Sequence, residues 1–305
     1  MVTALAVSCR KAQHALLSEQ TVSVEFCLGC EGMQGVKSSL DDASSISVLD
    51  VFVYDSEGEL VADAPVEAQP AAGGFNVSVT LLKGQCYSIG FFASSAVAVE
   101  DGYFTANPQN KTVTVNYATI PANSAHADAF FGWYDSYQIP SYGGTIPVHL
   151  TLSRPFAQID FLSLPEDIAF AAAADAVLEE ADFDELVTTV QVNGVPNVLN
   201  LETGEVEGQA DVVFLPAVRP SEELLDGYQW LGCVFVLAPE VQEGDDAPTY
   251  PMGFYSGVFE NNAFEIHGSR GFFQNAPAVS RNNRTRVKGY VLTDGGVYMN
   301  ELNEL

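Results

Sequence analysis

L-S-R-P-F-A-Q-I-D-F, residues 152–161, lies near the middle of the chain and sets the pattern for what surrounds it. Phe156, Gln158 and Asp160 alternate with Ala157, Ile159 and Phe161, which is the period of a β-strand. Pro155 has no N–H to give to a central ladder, so the spacing predicts a strand entered from a sheet edge. Before it, Val22, Val24 and Phe26 alternate with Ser23 and Glu25, and Phe75, Val77, Val79 and Leu81 alternate with Asn76, Ser78 and Thr80. Further strands are predicted at 49–54, 87–93, 112–117 and 146–152, with turns at D-S-E-G-E (55–59) and K-G-Q (83–85). Short strands at this spacing read as a sandwich. After it, the stretch 166–186 is rich in Ala, Leu and Glu, which predicts one helix or two helical turns. Strands then resume at 188–192, 198–201, 210–215, 228–237, 254–259, 263–266 and 285–293, ahead of a hairpin-like D-G-G at 294–296. The expected fold class is all-β, two β-sandwich domains with a short helical insertion in the second. Residues 1–20 form a leader and tether, 21–151 the first sandwich and 152–305 the second.

A chain of 305 residues exceeds what one hydrophobic core usually serves, and 47% hydrophobic residues, with 19 Phe and 12 Tyr, supply material for two. Forty acidic residues against 12 basic give a net charge of −28. Binding to nucleic acid rests on Lys and Arg meeting phosphates, so the balance excludes a nucleic-acid partner.

No run of apolar residues is long enough to span a membrane as a helix. M-V-T-A-L-A-V-S-C (1–9) is uncharged and ends in small residues before a cysteine, so it resembles a lipobox and predicts lipidation at Cys9. Such a lipid would tether the protein to a membrane that its acidic domains otherwise avoid.

Cys27 and Cys30 form C-L-G-C, which is open to several readings: a redox pair, half a zinc site, a short-loop disulfide or ordinary strand residues. A zinc site would need a second ligand pair, and His14, His126, His149 and His267 are scattered. A redox pair belongs at a helix N-terminus, whereas T-V-S-V-E-F runs as a strand into a turn. Cys86 and Cys233 lie in apolar runs and are expected in the core.

The chain resembles the fimbrillin-like surface lipoproteins of Bacteroidales bacteria. The resemblance rests on R-P-F-A-Q-I-D-F (154–161), N-G-V-P-N-V-L-N-L-E-T-G-E-V-E-G (193–208), Y-Q-W-L-G-C-V-F-V-L-A (228–238) and S-R-N-N-R-T-R-V-K-G-Y-V-L-T (280–293), in the family's order. L-D-V-F-V-Y-D (49–55) and F-F-G-W-Y-D (130–135) match more loosely. It implies two transthyretin-like, Greek-key sandwiches, palmitate-type lipidation on export behind a signal, and a place on the cell surface at the outer membrane or in a fimbria. The implied partners are other fimbrial subunits, joined by strand donation, with a host or bacterial surface ligand left unspecified. In the family an N-terminal strand is removed after an arginine. Here that strand would be Thr21 to Leu28, yet no Arg lies between Arg10 and Arg154, and Lys37 is the basic residue available in the following loop, 29–45. The alternative is a monomeric glycan- or peptide-binding surface lipoprotein.

Catalytic chemistry has no signature in the sequence. H-E-x-x-H, G-x-x-x-x-G-K and a dinucleotide fingerprint are missing, and H-G-S-R-G (267–271) lacks the glycine that a nucleophile elbow places two residues before its serine. No catalytic residue, cofactor or metal is expected. Two clusters stand out as ligand or subunit contacts. One is Trp133, Tyr134 and Tyr137, whose rings suit sugar faces or interfaces, with Phe130 and Phe131 read as core. The other is Arg284, Arg286 and Lys288, which with Arg281 could meet an acidic partner or shield an edge strand.

Overall fold

The computed structural model describes residues 20–30, 45–61, 64, 66–141, 145–220, 224–242, 244–273, 276–293 and 299–304, the side chains of 268–272 and 299–304 excepted. Cys9, Lys37 and the D-G-G at 294–296 lie outside the described residues. The first strands are β1 (Thr21–Cys30), β2 (Ile46–Tyr54), β3 (Val66–Ala71), β4 (Gly74–Leu82), β5 (Cys86–Ser95), β6 (Phe104–Asn107), β7 (Thr112–Val115), β8 (Phe130–Gln138) and β9 (Ile146–Leu152). There follow β10 (Phe156–Ser163), β11 (Val187–Val195), β12 (Val198–Asn200), β13 (Val206–Glu207), β14 (Ala210–Val213), β15 (Ala217–Val218) and β16 (Leu224–Leu225). The last are β17 (Tyr228–Leu237), β18 (Met252–Glu260), β19 (Ala263–Phe272), β20 (Asn283–Gly289) and β21 (Met299–Glu304).

Alternation along β1 becomes burial. In β1, Val22, Val24, Phe26, Leu28 and Cys30 turn inward while Glu25 and Cys27 are exposed. A sheet in the order β3-β4-β1-β9 and a second, β2-β5-β8, share one core, in which Val24 and Phe26 meet Val53, Ile89, Phe91 and Phe130. A second core lies between β16-β17-β10-β20-β21 and β14-β11-β18-β19, and it gathers Ile159, Phe161, Val190, Val192, Val234 and Phe254. A further sheet, β13-β12-β7-β6, joins strands from either side of residue 152. Through it and the turns around it, Tyr103, Val113, Tyr117 and Ile120 pack into the second core.

β10 is not the edge-entered strand that Pro155 predicts. It lies between β17 and β20, and every residue from Phe156 to Ser163 is buried. Pro155 falls one residue outside the strand, where its carbonyl accepts from the Ala238 N–H at 3.1 Å, so the ladder never calls on the missing donor.

The helical insertion is two pieces, Pro165–Ala174 and Ala176–Glu180, followed by a 3-10 turn at Phe183–Glu185. Asp175 separates them with an extended backbone (φ −141°, ψ 114°), and its Oδ1 accepts from the Val177 N–H at 3.0 Å to cap the second piece. Strands β3, β6, β8, β13, β15, β16 and β21 are additions to the sequence reading; four of them are only two to four residues long, and in β8 consecutive aromatic residues hide the alternation.

Candidate functional site

β1 is the element on which a strand-exchange function would turn. It runs antiparallel to β4 and parallel to β9, so its backbone donors and acceptors meet a ladder on each side. Its inner row fills the floor of the first core, Phe26 meeting Phe91 and Tyr134 edge-on at ring-centroid distances of 5.3 and 5.7 Å. Gly74 begins β4 against the end of this strand, where a Cβ would stand 1.8 Å from the Leu28 carbonyl oxygen. Only glycine fits there.

β1 continues through Cys30 without the turn that the sequence suggests, and its alternation puts the two cysteines of C-L-G-C on opposite faces. Cys27, Cys30 and Cys86 form no disulfide. Cys27 donates to Asn76 Oδ1 at 3.3 Å on the exposed face. Burial, and then the Asp128 carboxylate, push the Cys30 thiol up to about 12 against the opposing pull of Arg154. The opposite faces keep Cys27 and Cys30 from pairing with each other, and burial keeps Cys30 a thiol. Cys233 is buried as expected, whereas Cys86 is only half-buried and donates to Gln138 Oε1 at 3.0 Å.

The aromatic run lies on β8, with Phe130 and Phe131 in the cores. Trp133 and Tyr134 point to opposite faces of the strand. Trp133 sits over Gly90, 5.3 Å from the Tyr54 ring, and Lys111 Nζ stands 5.2 Å from both rings. A cavity of 410 Å³ opens beside them, lined among others by Tyr54, Ser88, Lys111, Asp135 and Glu202. Hydrogen bonds from Ser88 and Ser136 hold the Asp135 carboxyl below its usual range. Ser136 takes a left-handed φ of 48°, and the register of β5 against β8 shifts there, so Tyr137 returns to the face of Tyr134, 5.4 Å away ring to ring. Thus Tyr134 and Tyr137 belong to the core face of β1, and Trp133 to the opposite face, where it packs against the second core and backs Tyr54.

The basic cluster on β20 is mostly internal. β20 lies between β10 and β21 and is not an edge. Arg284, 8% exposed, is paired with the fully buried Asp160, which also takes Arg286 Nε at 3.9 Å. Lys288 is buried with its Nζ 5.6 Å from the centre of the Tyr228 ring. Of the three, Arg286 reaches outward, to Asp226 at 3.5 Å. The structure thus places Arg284 and Arg286 on Asp160 and Lys288 against Tyr228, so that of the three Arg286 is the one that faces outward.

A buried pair that the sequence reading missed joins the two cores. Arg154 Nε bonds both oxygens of Asp128, at 2.9 and 3.0 Å, its guanidinium lies 5.0 Å from the Phe130 ring centre, and Asn282 accepts from it at 3.3 Å. Both charged groups are 1% exposed. Only the isolation of Arg154 from other basic residues could have hinted at a fixed role.

Residues 18–301 match the model of a protein family described as "Family of unknown function (DUF6562)". The chain belongs to this family. No curated protein matches the DUF6562 chain. Solved structures similar to it include fimbrial and adhesin proteins of Bacteroidales bacteria. One is a fimbrial assembly protein from Parabacteroides distasonis, 12% identical over 93% of this chain and 95% of that one, with a TM-score of 0.45. Others are the tip fimbrial protein Mfa3 from Porphyromonas gingivalis (14% identical, 94% and 99% covered, TM-score 0.42) and the fimbrial anchor protein Mfa2 from the same organism (9%, 93% and 98%, TM-score 0.46). At such TM-scores these likenesses decide nothing about what the DUF6562 chain does.

Proposed function

We propose that the protein is a non-enzymatic structural or adhesive subunit of a cell-surface fimbria, lipid-anchored through Cys9 during export and then assembled by β-strand exchange with other subunits once its N-terminal strand is removed. The observation that carries this reading is the position of β1. It is the first described strand, and it bridges β4 and β9 with its apolar row in the core. Its departure would open an apolar groove between two unpaired ladders, which a donated strand of alternating residues would fill. The sequence resemblance around 154–161 supports the same class. Because the chain lacks an arginine between Arg10 and Arg154, Lys37 is the proposed cleavage residue.

The test is intact mass together with heated and unheated denaturing gels of protein from the cell envelope. A ladder that collapses on heating, built of chains trimmed within 29–45, is the expected result. A single lipidated species beginning at Cys9 would remove strand exchange and leave an anchor subunit or a stand-alone lipoprotein.

The cavity beside Trp133 favours a second reading, a monomeric glycan- or peptide-binding surface lipoprotein. Ser88, Lys111, Asp135 and Glu202 line the cavity beside the Tyr54 ring and offer hydrogen bonds to a sugar, with Trp133 supporting that ring from behind. Saturable glycan binding by the monomer, lost in Trp133→Ala, would establish it, and a glycan array without a hit would set it aside.

A further inference from the structure

β18 and β19 form a hairpin whose turn residues, Asn261 and Asn262, take left-handed φ values of 51° and 65°. Its register, Phe259 opposite Phe264 and Glu260 opposite Ala263, puts the two phenylalanines on one face and Glu260 and Glu265 on the other. His267 follows Glu265 by two residues and keeps to the same side. One ligand atom from each of Glu260, Glu265 and His267 lies within 4.8 Å of the other two.

The histidine is oriented from elsewhere in the fold. Its Nδ1 is 3.1 Å from Asp175 Oδ2, and the other oxygen of that carboxylate accepts from the Val177 N–H where the helix Ala176–Glu180 begins. With Nδ1 engaged, Nε2 is the nitrogen left over, and it is buried without a hydrogen-bond partner. A polar atom removed from water and left unpaired is costly, so this orphan nitrogen calls for a ligand.

We propose that Glu260, Glu265 and His267 bind a divalent transition-metal ion of the zinc type, with Asp175 as the residue that orients the imidazole. One nitrogen and two carboxylate oxygens suit zinc, which bonds such atoms at about 2.0–2.2 Å and would draw the three ligands together. Both glutamates are exposed, which leaves their side chains room for that closure. A carboxylate on the far side of a ligating imidazole is the usual means of fixing its tautomer and direction. Calcium, which takes an all-oxygen shell, would leave the histidine unused. The sequence reading of scattered histidines misses the site because its parts come together only across the hairpin and against the helix.

The experiment is calorimetric titration of Zn²⁺ into tag-free, chelator-stripped full-length protein carrying Cys27→Ser, so that the exposed thiol cannot contribute. The expected result is one Zn²⁺ per chain, affinity lowered about 10–100-fold by Asp175→Asn, binding lost in His267→Gln, and no displacement by Ca²⁺. Should His267→Gln fail to fold by circular dichroism, the exposed pair Glu260→Gln and Glu265→Gln decides. Absence of Zn²⁺ binding, or binding that both the histidine and the glutamate variants retain, would overturn the site and assign any bound zinc to the general acidic surface.

Discussion

At the level of single residues, the motif at 154–161 is a set of internal anchors. Arg154 reaches Asp128, Gln158 Nε2 donates to Asp160 Oδ1 at 2.8 Å, and Asp160 holds Arg284 and Arg286. All of Phe156–Ser163 is buried, so these polar residues fix the fold and touch no ligand. Removing one partner of a buried pair strands the other charge. Arg154→Leu is therefore expected to cost about 3–5 kcal/mol in denaturant unfolding, with Asp128→Asn/Arg154→Leu recovering part of it. Arg219 presents the opposite case. It is 6% exposed, its Nη2 donates to Ser256 Oγ at 2.6 Å, no carboxylate pairs with it among the described residues, and burial pulls its pKa down to about 10. Arg219→Met is accordingly expected to stabilise the isolated protein by about 1–3 kcal/mol. A loss of stability instead would mean that the guanidinium is paired after all.

Among the elements, β1 can be followed through its own thiols. Cys27 is exposed, while Cys30 is buried with its pKa at about 12. Mildly alkaline alkylation is expected to modify Cys27 and spare Cys30, since too little thiolate forms below that pKa. Gly74→Ala, which drives a methyl into the Leu28 carbonyl, is expected to unseat the end of β1 and make Cys30 reactive in the same mass spectrum. β1 was legible because one face is apolar and the other polar. β8 was not, since Phe130, Phe131 and Trp133 leave no alternation to see, and its course is set by packing and by the bulge at Ser136. The alternation of β10 marks it as a strand, but Pro155 suggests an edge entry because in sequence it adjoins the strand, whereas in space it lies just outside the ladder. The face shared by Glu265 and His267 can be read from their spacing, whereas Glu260 and Asp175 join them only through the hairpin register and the helix cap.

For the molecule as a whole, we propose two sandwiches divided at residue 151, with the segment 96–129 tying them together. That segment sends Tyr103, Val113, Tyr117 and Ile120 into the second core, and its Asp128 meets Arg154 at the start of the second half. Residues 152–305 expressed alone are therefore expected to be insoluble or molten, whereas 96–305 should be markedly better folded by near-ultraviolet circular dichroism. Equal folding of both would show the segment to be dispensable. The position of β1 also has a mechanical meaning. Tension drawn along β1 would load the antiparallel ladder to β4 and the parallel ladder to β9 together, in shear along the strand. Hydrogen bonds sheared in concert resist far more force than bonds opened one after another. Any strand in that seat would therefore grip hardest against a pull along its own length.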